Sequence, residues 1–243
     1  MIPMELFYIP DYLPGQPTLN LPADESHHAR KVLRKRRGDI LRVTDGLGSD
    51  ITAIIQDDKE PQLKLLIQKV EQIPFPPENR IEVALSVIRP NRMDWAIEKL
   101  TELGVHTIIP LHCQYTNYRS IKIDHLRKIA VSAMKQSKQY YLPVIKPTMD
   151  LKEWIANAAQ NPGRKFLAHP KAELSGQIPE IKPDEKFWIA IGPEGGFHPD
   201  EISLTRQAGF ELLPLGQTIL RTETAAIRGI IYLKLLKEKL FLL

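Results

Sequence analysis

Phe187-Trp188-Ile189-Ala190-Ile191-Gly192-Pro193-Glu194-Gly195-Gly196-Phe197 is the stretch on which the fold turns. Its first five residues are apolar without alternation, as expected of a short strand covered on both faces. A glycine-rich turn follows at once, and Pro199-Asp200-Glu201 then supplies the proline and acids of a first helical turn. Strand, glycine loop and helix in that order point to a layered α/β fold with a largely parallel sheet. In such sheets ligands collect at the carboxyl ends of the strands, and glycine lets backbone come close to them. A Gly-Gly loop also serves as a plain tight turn. The lysine of a phosphate-binding P-loop and the spacing Gly-x-Gly-x-x-Gly are both missing, so neither nucleotide reading is supported.

Toward the carboxyl end, Leu215-Gly216-Gln217-Thr218-Ile219-Leu220-Arg221-Thr222-Glu223-Thr224-Ala225-Ala226 leads into a last apolar helix through Ile227, Ile230, Ile231, Leu235 and Leu236. Thr222 and Thr224 are its candidate caps. Charged residues such as Arg221 and Glu223 at a helix start are usually just solvated. Two polar, conformationally specific loops after the last two strands of one sheet are less easily dismissed.

Toward the amino end the strand-helix rhythm continues. Ile81, Val83, Leu85 and Val87 alternate like a half-buried strand. Asn91 offers a helix cap, Met93, Ala96, Ile97, Leu100 and Leu103 follow at helical spacing, and Gly104 is a stop. Val105 to Leu111 is strand-like. Further helices are expected from Asp124 through Met134 and across Leu151, Trp154, Ile155 and Ala158. The proline-rich segment from Ile73 to Asn79 reads as an extended linker, 73–79, between a first domain of residues 1–72 and a second of residues 80–243. In the first, Asp39–Val43 and Leu63–Ile67 suggest strands, and Asp45-Gly46-Leu47-Gly48 a turn between them, so a small β-rich domain is expected.

That domain carries the run His27-His28-Ala29-Arg30-Lys31-Val32-Leu33-Arg34-Lys35-Arg36-Arg37-Gly38-Asp39, with Val32 and Leu33 expected to anchor it while the cations face outward. An exposed charged face is the commoner fate of such a run, but this density of one sign favours phosphate binding. The whole chain of 243 residues, 43% hydrophobic and 26% charged, is long enough to bury a proper core, and its formal charge of +4 is mildly basic. Cys113 is the single cysteine, so an internal disulfide and a cysteine zinc site are both excluded, and the seven histidines lack metal-site spacing. Met1-Ile2-Pro3-Met4-Glu5-Leu6 lacks the blocks of a signal peptide, and no apolar run approaches the roughly 20 residues that span a bilayer. The expectation is a cytoplasmic protein without membrane or metal.

Four segments, His28…Val32-Leu33-Arg34…Gly38-Asp39, Arg92-Met93-Asp94-Trp95-Ala96-Ile97-Glu98-Lys99-Leu100-Thr101-Glu102-Leu103-Gly104-Val105, and the pair Gly192-Pro193-Glu194-Gly195-Gly196 with Leu215-Gly216…Ile219-Leu220-Arg221-Thr222-Glu223-Thr224-Ala225, give the chain its resemblance to a known family. It resembles the RsmE family of SPOUT-class methyltransferases, which act on uridine N3 in 16S ribosomal RNA, and the likeness runs the length of the chain. The resemblance implies a PUA-like β-barrel domain followed by a SPOUT α/β domain with a carboxyl-terminal trefoil knot, an exception to the rule against knotted chains. It implies a homodimer acting on the small ribosomal subunit, with S-adenosyl-L-methionine as cofactor. By position, cofactor contacts would come from Leu167, Ile191, Gly192, Glu194, Gly195, Gly196, Leu215, Gly216, Ile219, Leu220 and Arg221. RNA contacts would come from His28, Arg30, Lys31, Arg34, Lys35, Arg36, Arg37 and Arg92.

Uridine N3 bears a proton and is a poor nucleophile until it leaves, so the reaction needs a base or nearby cations. Arg221 is the expected electrostatic stabiliser, with Glu194 or Glu223 accepting the proton or orienting that arginine. Two departures concern RNA contacts: Gln139 stands where the family often has arginine, and Met4-Glu5-Leu6-Phe7 where many relatives carry one. Alternatives are a SPOUT enzyme acting on ribose 2′-oxygen or transfer RNA, and a non-catalytic ribosomal RNA-binding assembly factor.

Overall fold

The computed structural model describes residues 5–59, 61–118, 120–170, 181–182 and 184–238, so Met4 of the amino-terminal departure lies outside the described residues. The chain forms two compact units. One holds the residues up to Phe75 together with Val131–Leu142; the other holds Pro76–Ala130 and the chain from Pro143 onward.

The first unit contains β1 (Leu6–Tyr8), β2 (Thr18–Asn20), α1 (Ala23–His27), β3 (Ile40–Thr44), β4 (Ser49–Asp57) and β5 (Lys64–Gln72). The strands lie in the order β1-β3-β4-β5-β2, antiparallel except for β1 beside β3. Phe7 and Leu19 from the two edge strands share one core with Val43, Ile51 and Leu65 from the middle ones, so the sheet rolls around its own apolar face. The turn before β4 is set by Asp45, whose carboxylate accepts from the N–H groups of Leu47 and Ser49 and from the Ser49 hydroxyl at 2.6–3.1 Å.

The basic run departs from expectation. After α1 it widens into a π-helical turn, His28–Val32. A π turn rotates the following residues off the α-helical face, so Ala29 and Leu33 pack on the core and Val32 is 62% exposed.

The second unit contains β6 (Ile81–Ser86), α2 (Pro90–Glu102), β7 (Thr107–His112), the start of α3 (Ile123–Gln136), β8 (Val144–Ile145), β9 (Met149–Asp150), α4 (Leu151–Ala159), β10 (Arg164–Ala168), β11 (Phe187–Ile191), α5 (Pro199–Gln207), β12 (Glu211–Leu213) and α6 (Thr222–Lys237). The order is β12-β10-β11-β6-β7-β8, with β9 also on β7, and every pairing is parallel. Strand β6 is not half-buried as its alternation suggested: all six residues are buried, because it is central and covered on both faces. Helix α6 packs on it, and Ala84 joins the core around Trp154 of α4. The buried Glu82 is compensated by Trp154 Nε1 at 3.2 Å and by the ammonium groups of Lys186 and Lys146 at 3.0 and 3.5 Å.

Helix α2 begins at Pro90 with Arg89 as its cap residue, so Asn91 lies in the first turn and not at the cap. Gly104 does end it, donating to the Thr101 carbonyl at 2.8 Å. Within 73–79, Pro77–Asn79 forms a 3₁₀ turn where extended chain was expected. Lys234 donates to Asn79 Oδ1 at 2.6 Å and Lys237 to the Pro77 carbonyl at 2.7 Å. Burial lowers both ammonium pKa values, that of Lys237 to about 8. Among the described residues no helix is long and apolar enough to cross a membrane.

Candidate active site

Parallel pairing sets the carboxyl ends of β10, β11 and β12 side by side, with Leu167 opposite both Ala190 and Leu212. The loops leaving those ends enclose a cavity of about 330 Å³, walled by Ala168–Pro170, Ile191–Phe197, Leu215, Gly216, Thr218–Leu220, Thr222 and Ala225. The two glycine loops therefore face one space. Their local chemistry explains the fit. A Cβ at Gly192 would lie 2.9 Å from the ring of the buried Phe197, so only glycine lets the turn close on that ring. Gly216 has φ +127°, which side-chain-bearing residues rarely adopt.

Two further links fix the loops. The Thr222 hydroxyl donates to the Gly192 carbonyl at 3.0 Å, joining the start of α6 to the first loop. Thr222 thus serves the cavity and not as the helix cap expected; the cap residue is Arg221, and no side chain caps the helix. At the start of α5, Glu201 accepts from the His198 N–H and from the Gln114 N–H, both at 2.8 Å, tying the β11–α5 loop to the loop after β7. His198 Nδ1 in turn accepts from the Asp200 N–H at 3.2 Å.

Of the residues expected to touch a cofactor, Ile191, Gly192, Glu194, Gly195, Gly196, Leu215, Gly216, Ile219 and Leu220 line the cavity. Leu167 does not: it is fully buried in the core just before the lining residue Ala168. Arg221 is exposed and is not part of the wall. Sequence reasoning missed Ala168, His169 and Pro170, whose place on the wall follows from β10 lying between β11 and β12.

The charged centre also differs from expectation. Arg92, in the first turn of α2, forms an ion pair with Glu194 on the cavity wall, and its Nε lies 3.6 Å from Glu223 Oε1. Sequence position counts Arg92 among the RNA contacts and sets Arg221 beside these acids; in the fold Arg92 is the cation paired with them. The two carboxylates have unlike surroundings. The Glu194 side chain is 45% exposed, whereas that of Glu223 is 8% exposed. Glu223 Oε2 is buried without a hydrogen-bond partner among the described residues. Cys113 is no thiolate nucleophile, since burial first, and Glu201 next, push its thiol up to about 12.

The other cations expected to meet RNA lie in the first unit. His28 Nε2 is 3.0 Å from Glu5. Arg30 is turned onto backbone, donating to the carbonyls of Asp58 and Pro61. Lys31, Arg34, Arg36 and Arg37 are exposed and Lys35 is half-buried. The Arg36 N–H is held by Asp39 at 2.7 Å and the Arg37 N–H by Asp58 at 3.3 Å, which fixes the backbone of the cluster. Gln139 closes the turn after α3 through its N–H on the Met134 carbonyl, 3.0 Å.

A family described as RNA methyltransferase domain matches residues 76–234, and one described as RNA methyltransferase PUA domain matches residues 21–67. The chain is 34% identical to the ribosomal RNA small subunit methyltransferase E of Buchnera aphidicola subsp. Acyrthosiphon pisum over 92% of its length and 90% of that protein's. With the protein of that name from Rickettsia conorii the identity is 30%, over 94% of both chains. A crystal structure of ribosomal RNA small subunit methyltransferase E from Neisseria gonorrhoeae, bound to S-adenosyl methionine, superposes with a TM-score of 0.84 and 28% identity, covering 96% of this chain and 98% of that one. Glycine loops that share one cavity, a PUA-type domain ahead of them and full-length similarity agree, and the chain belongs to the RNA methyltransferase family whose curated relatives are named ribosomal RNA small subunit methyltransferase E.

Proposed function

We propose that this protein methylates N3 of a specific uridine in 16S ribosomal RNA of the small subunit. It is an S-adenosylmethionine-dependent ribosomal RNA methyltransferase. The observation that carries it is the cavity shared by the two glycine loops, with a charged cluster at its wall.

The cavity suits the cofactor. Its volume of about 330 Å³ lies at the small end of the range for small-molecule sites. Apolar walls from Ile191, Leu215 and Leu220 and exposed loop backbone suit an adenosine, and the carboxylate of Glu194 suits a cationic group. Bound there, S-adenosylmethionine supplies a methyl carbon made electrophilic by its sulfonium. The chain's own residues must hold the base in line and take its proton.

Glu194 is the better proton acceptor of the two acids, being on the wall and accessible, while the buried Glu223 holds Arg92 from behind. Arg92 takes the stabilising role expected of Arg221: its charge beside the wall favours the uracil anion as the N3 proton moves to Glu194. In the first domain, Lys31, Arg34, Arg36 and Arg37 present charge for RNA phosphates. Exposed Ile219 and Ile231 offer apolar surface to a second copy, supporting a homodimer. The strand order β12-β10-β11, with β10 between two later strands, supports the knotted carboxyl-terminal path. A ribosomal RNA substrate supports a cytoplasmic location for the reaction.

The test is single-turnover methylation of small subunits with labelled cofactor, with the modified base mapped by reverse-transcriptase arrest. An N3 methyl blocks pairing and stops the polymerase, whereas a ribose methyl interferes far less. Glu194→Gln should slow the step by about 10²-fold or more. A full rate in that variant removes Glu194 as the base, and labelled product without arrest removes N3 as the target.

A further inference from the structure

The loop after β7 is built more firmly than an exposed turn requires. Cys113 donates its N–H to Thr116 Oγ1 at 2.8 Å, and Thr116 returns an N–H to the Cys113 carbonyl at 3.0 Å. The Thr116 hydroxyl is also 3.0 Å from that of Ser86 at the end of β6. From the other side, the Gln114 N–H is held by Glu201 of α5 at 2.8 Å. Tyr115 sits between these clamps with its backbone fixed.

Its side chain leans on the cavity loop yet stays open. A Cβ at Gly195 would lie 3.3 Å from Tyr115 Cβ, and the ring meets His198 edge-on at 5.6 Å between centroids. Tyr115 is nonetheless 42% exposed. Gly195 lines the cavity, and its neighbour Glu194 is paired with Arg92. Arg89 adds a second cation close by; its hydrogen bond with Tyr118 raises its pKa, and the charge of Glu194 acts in the same direction. The rim at Glu194–Gly195 therefore combines an accessible aromatic ring on a firmly anchored backbone with two guanidinium groups.

An enzyme that modifies the pairing edge of a base must take that base from its stack and replace the lost stacking. Proteins that bind unpaired RNA do this with aromatic faces, which accept any base and leave its edge free for recognition. We infer that Tyr115 is the stacking platform for the target uracil, resting its ring on the base while Glu194 and Arg92 address the N3 edge. This inference rests on the proposed methylation of a uracil.

The experiment has two arms. In the first, small subunits carrying 5-iodouridine-substituted 16S RNA are irradiated with the wild-type protein, and the crosslinked peptide is identified by mass spectrometry; Tyr115 is the expected site. In the second, Tyr115→Ala should raise KM for small subunits by about tenfold, within the range of one base–aromatic stack. Its Kd for S-adenosylmethionine should be unchanged, and Tyr115→Phe and Tyr115→Trp should behave like wild type. A role in packing alone would not be rescued by the bulkier tryptophan. Wild-type KM in Tyr115→Ala, or a crosslink confined to other residues, overturns the inference. Because the first arm uses wild-type protein, misfolding of a variant leaves it standing. Absence of base methylation by wild-type protein would instead sink the functional reading, and the crosslink would still report the stack.

Discussion

Replacing Thr222 by valine removes a hydrogen bond that joins the two cavity loops. Valine matches threonine in shape, so the change removes the Oγ1 donor and leaves a methyl group in its place. Thr222 is 3% exposed and its hydroxyl is 3.0 Å from the Gly192 carbonyl. Such a bond contributes about 0.5–1.5 kcal/mol net, and leaving a fully buried acceptor unpaired costs about 1–3 kcal/mol. Gly192 is only half-buried, so water can reach its carbonyl, and the expected loss is near the middle of the smaller range, about 1 kcal/mol. For a chain of this size that lowers Tm by about 2–4 °C. If the loops must stay joined to hold the cofactor, the same loss appears as an increase of about fivefold in Kd for S-adenosylmethionine. Calorimetric titration and thermal unfolding of Thr222→Val, with Thr222→Ser as the variant that keeps the donor, measure both. An unchanged Kd together with an unchanged Tm would mean that packing alone joins the loops and that the bond contributes nothing.

Arg92 stands between Glu194 and Glu223, so removing the Glu223 charge lowers the negative potential that a cationic donor meets at the wall. Glu223→Gln should narrow the affinity gap between S-adenosylmethionine and S-adenosylhomocysteine in calorimetry, and an unaltered ratio would refute this. Lys237, with its pKa lowered by burial from 10.5 to about 8, binds fewer protons folded than unfolded between those values. Its burial penalty is full below pH 8 and is relieved as pH rises toward 10.5. In denaturant titrations the stability of wild type relative to Lys237→Met should therefore rise across that window, and a flat difference would contradict the shift. Neutralising Arg34, Arg36 and Arg37 together should weaken RNA binding and reduce its salt slope by about 2–3 units while leaving cofactor affinity alone. Unchanged salt dependence would remove the phosphate assignment.

Much of the second unit was readable because its signals are local. The continuous apolar run of β11 and the spacing of Met93, Ala96, Ile97 and Leu100 name their own structure, and the shared cavity follows once the two loops end neighbouring parallel strands. What could not be read depends on neighbours. Nothing within Ile81–Ser86 says that helices will cover both faces, and a half-buried strand would leave Glu82 in solvent, whereas in the fold Trp154 and Lys186 partner it. The π turn at His28–Val32 is likewise invisible to an α-helical template, and it moves Val32 from anchor to surface.

The charged centre shows the same limit in its sharpest form. Arg221 stands two residues from Glu223, and nearness in sequence made it the natural partner. At a helix start, though, consecutive residues point in different directions. Arg221 at the cap is exposed while Glu223 is buried. A buried carboxylate needs a cation that approaches from the core side. Helix α2 packs against α6 and supplies one from its first turn. The same guanidinium reaches Glu194, 102 residues away along the chain. The residues Arg92, Glu194 and Glu223 could each be marked as polar and motif-borne from sequence. Their union is a property of helix packing, which sets Arg92 beside both acids.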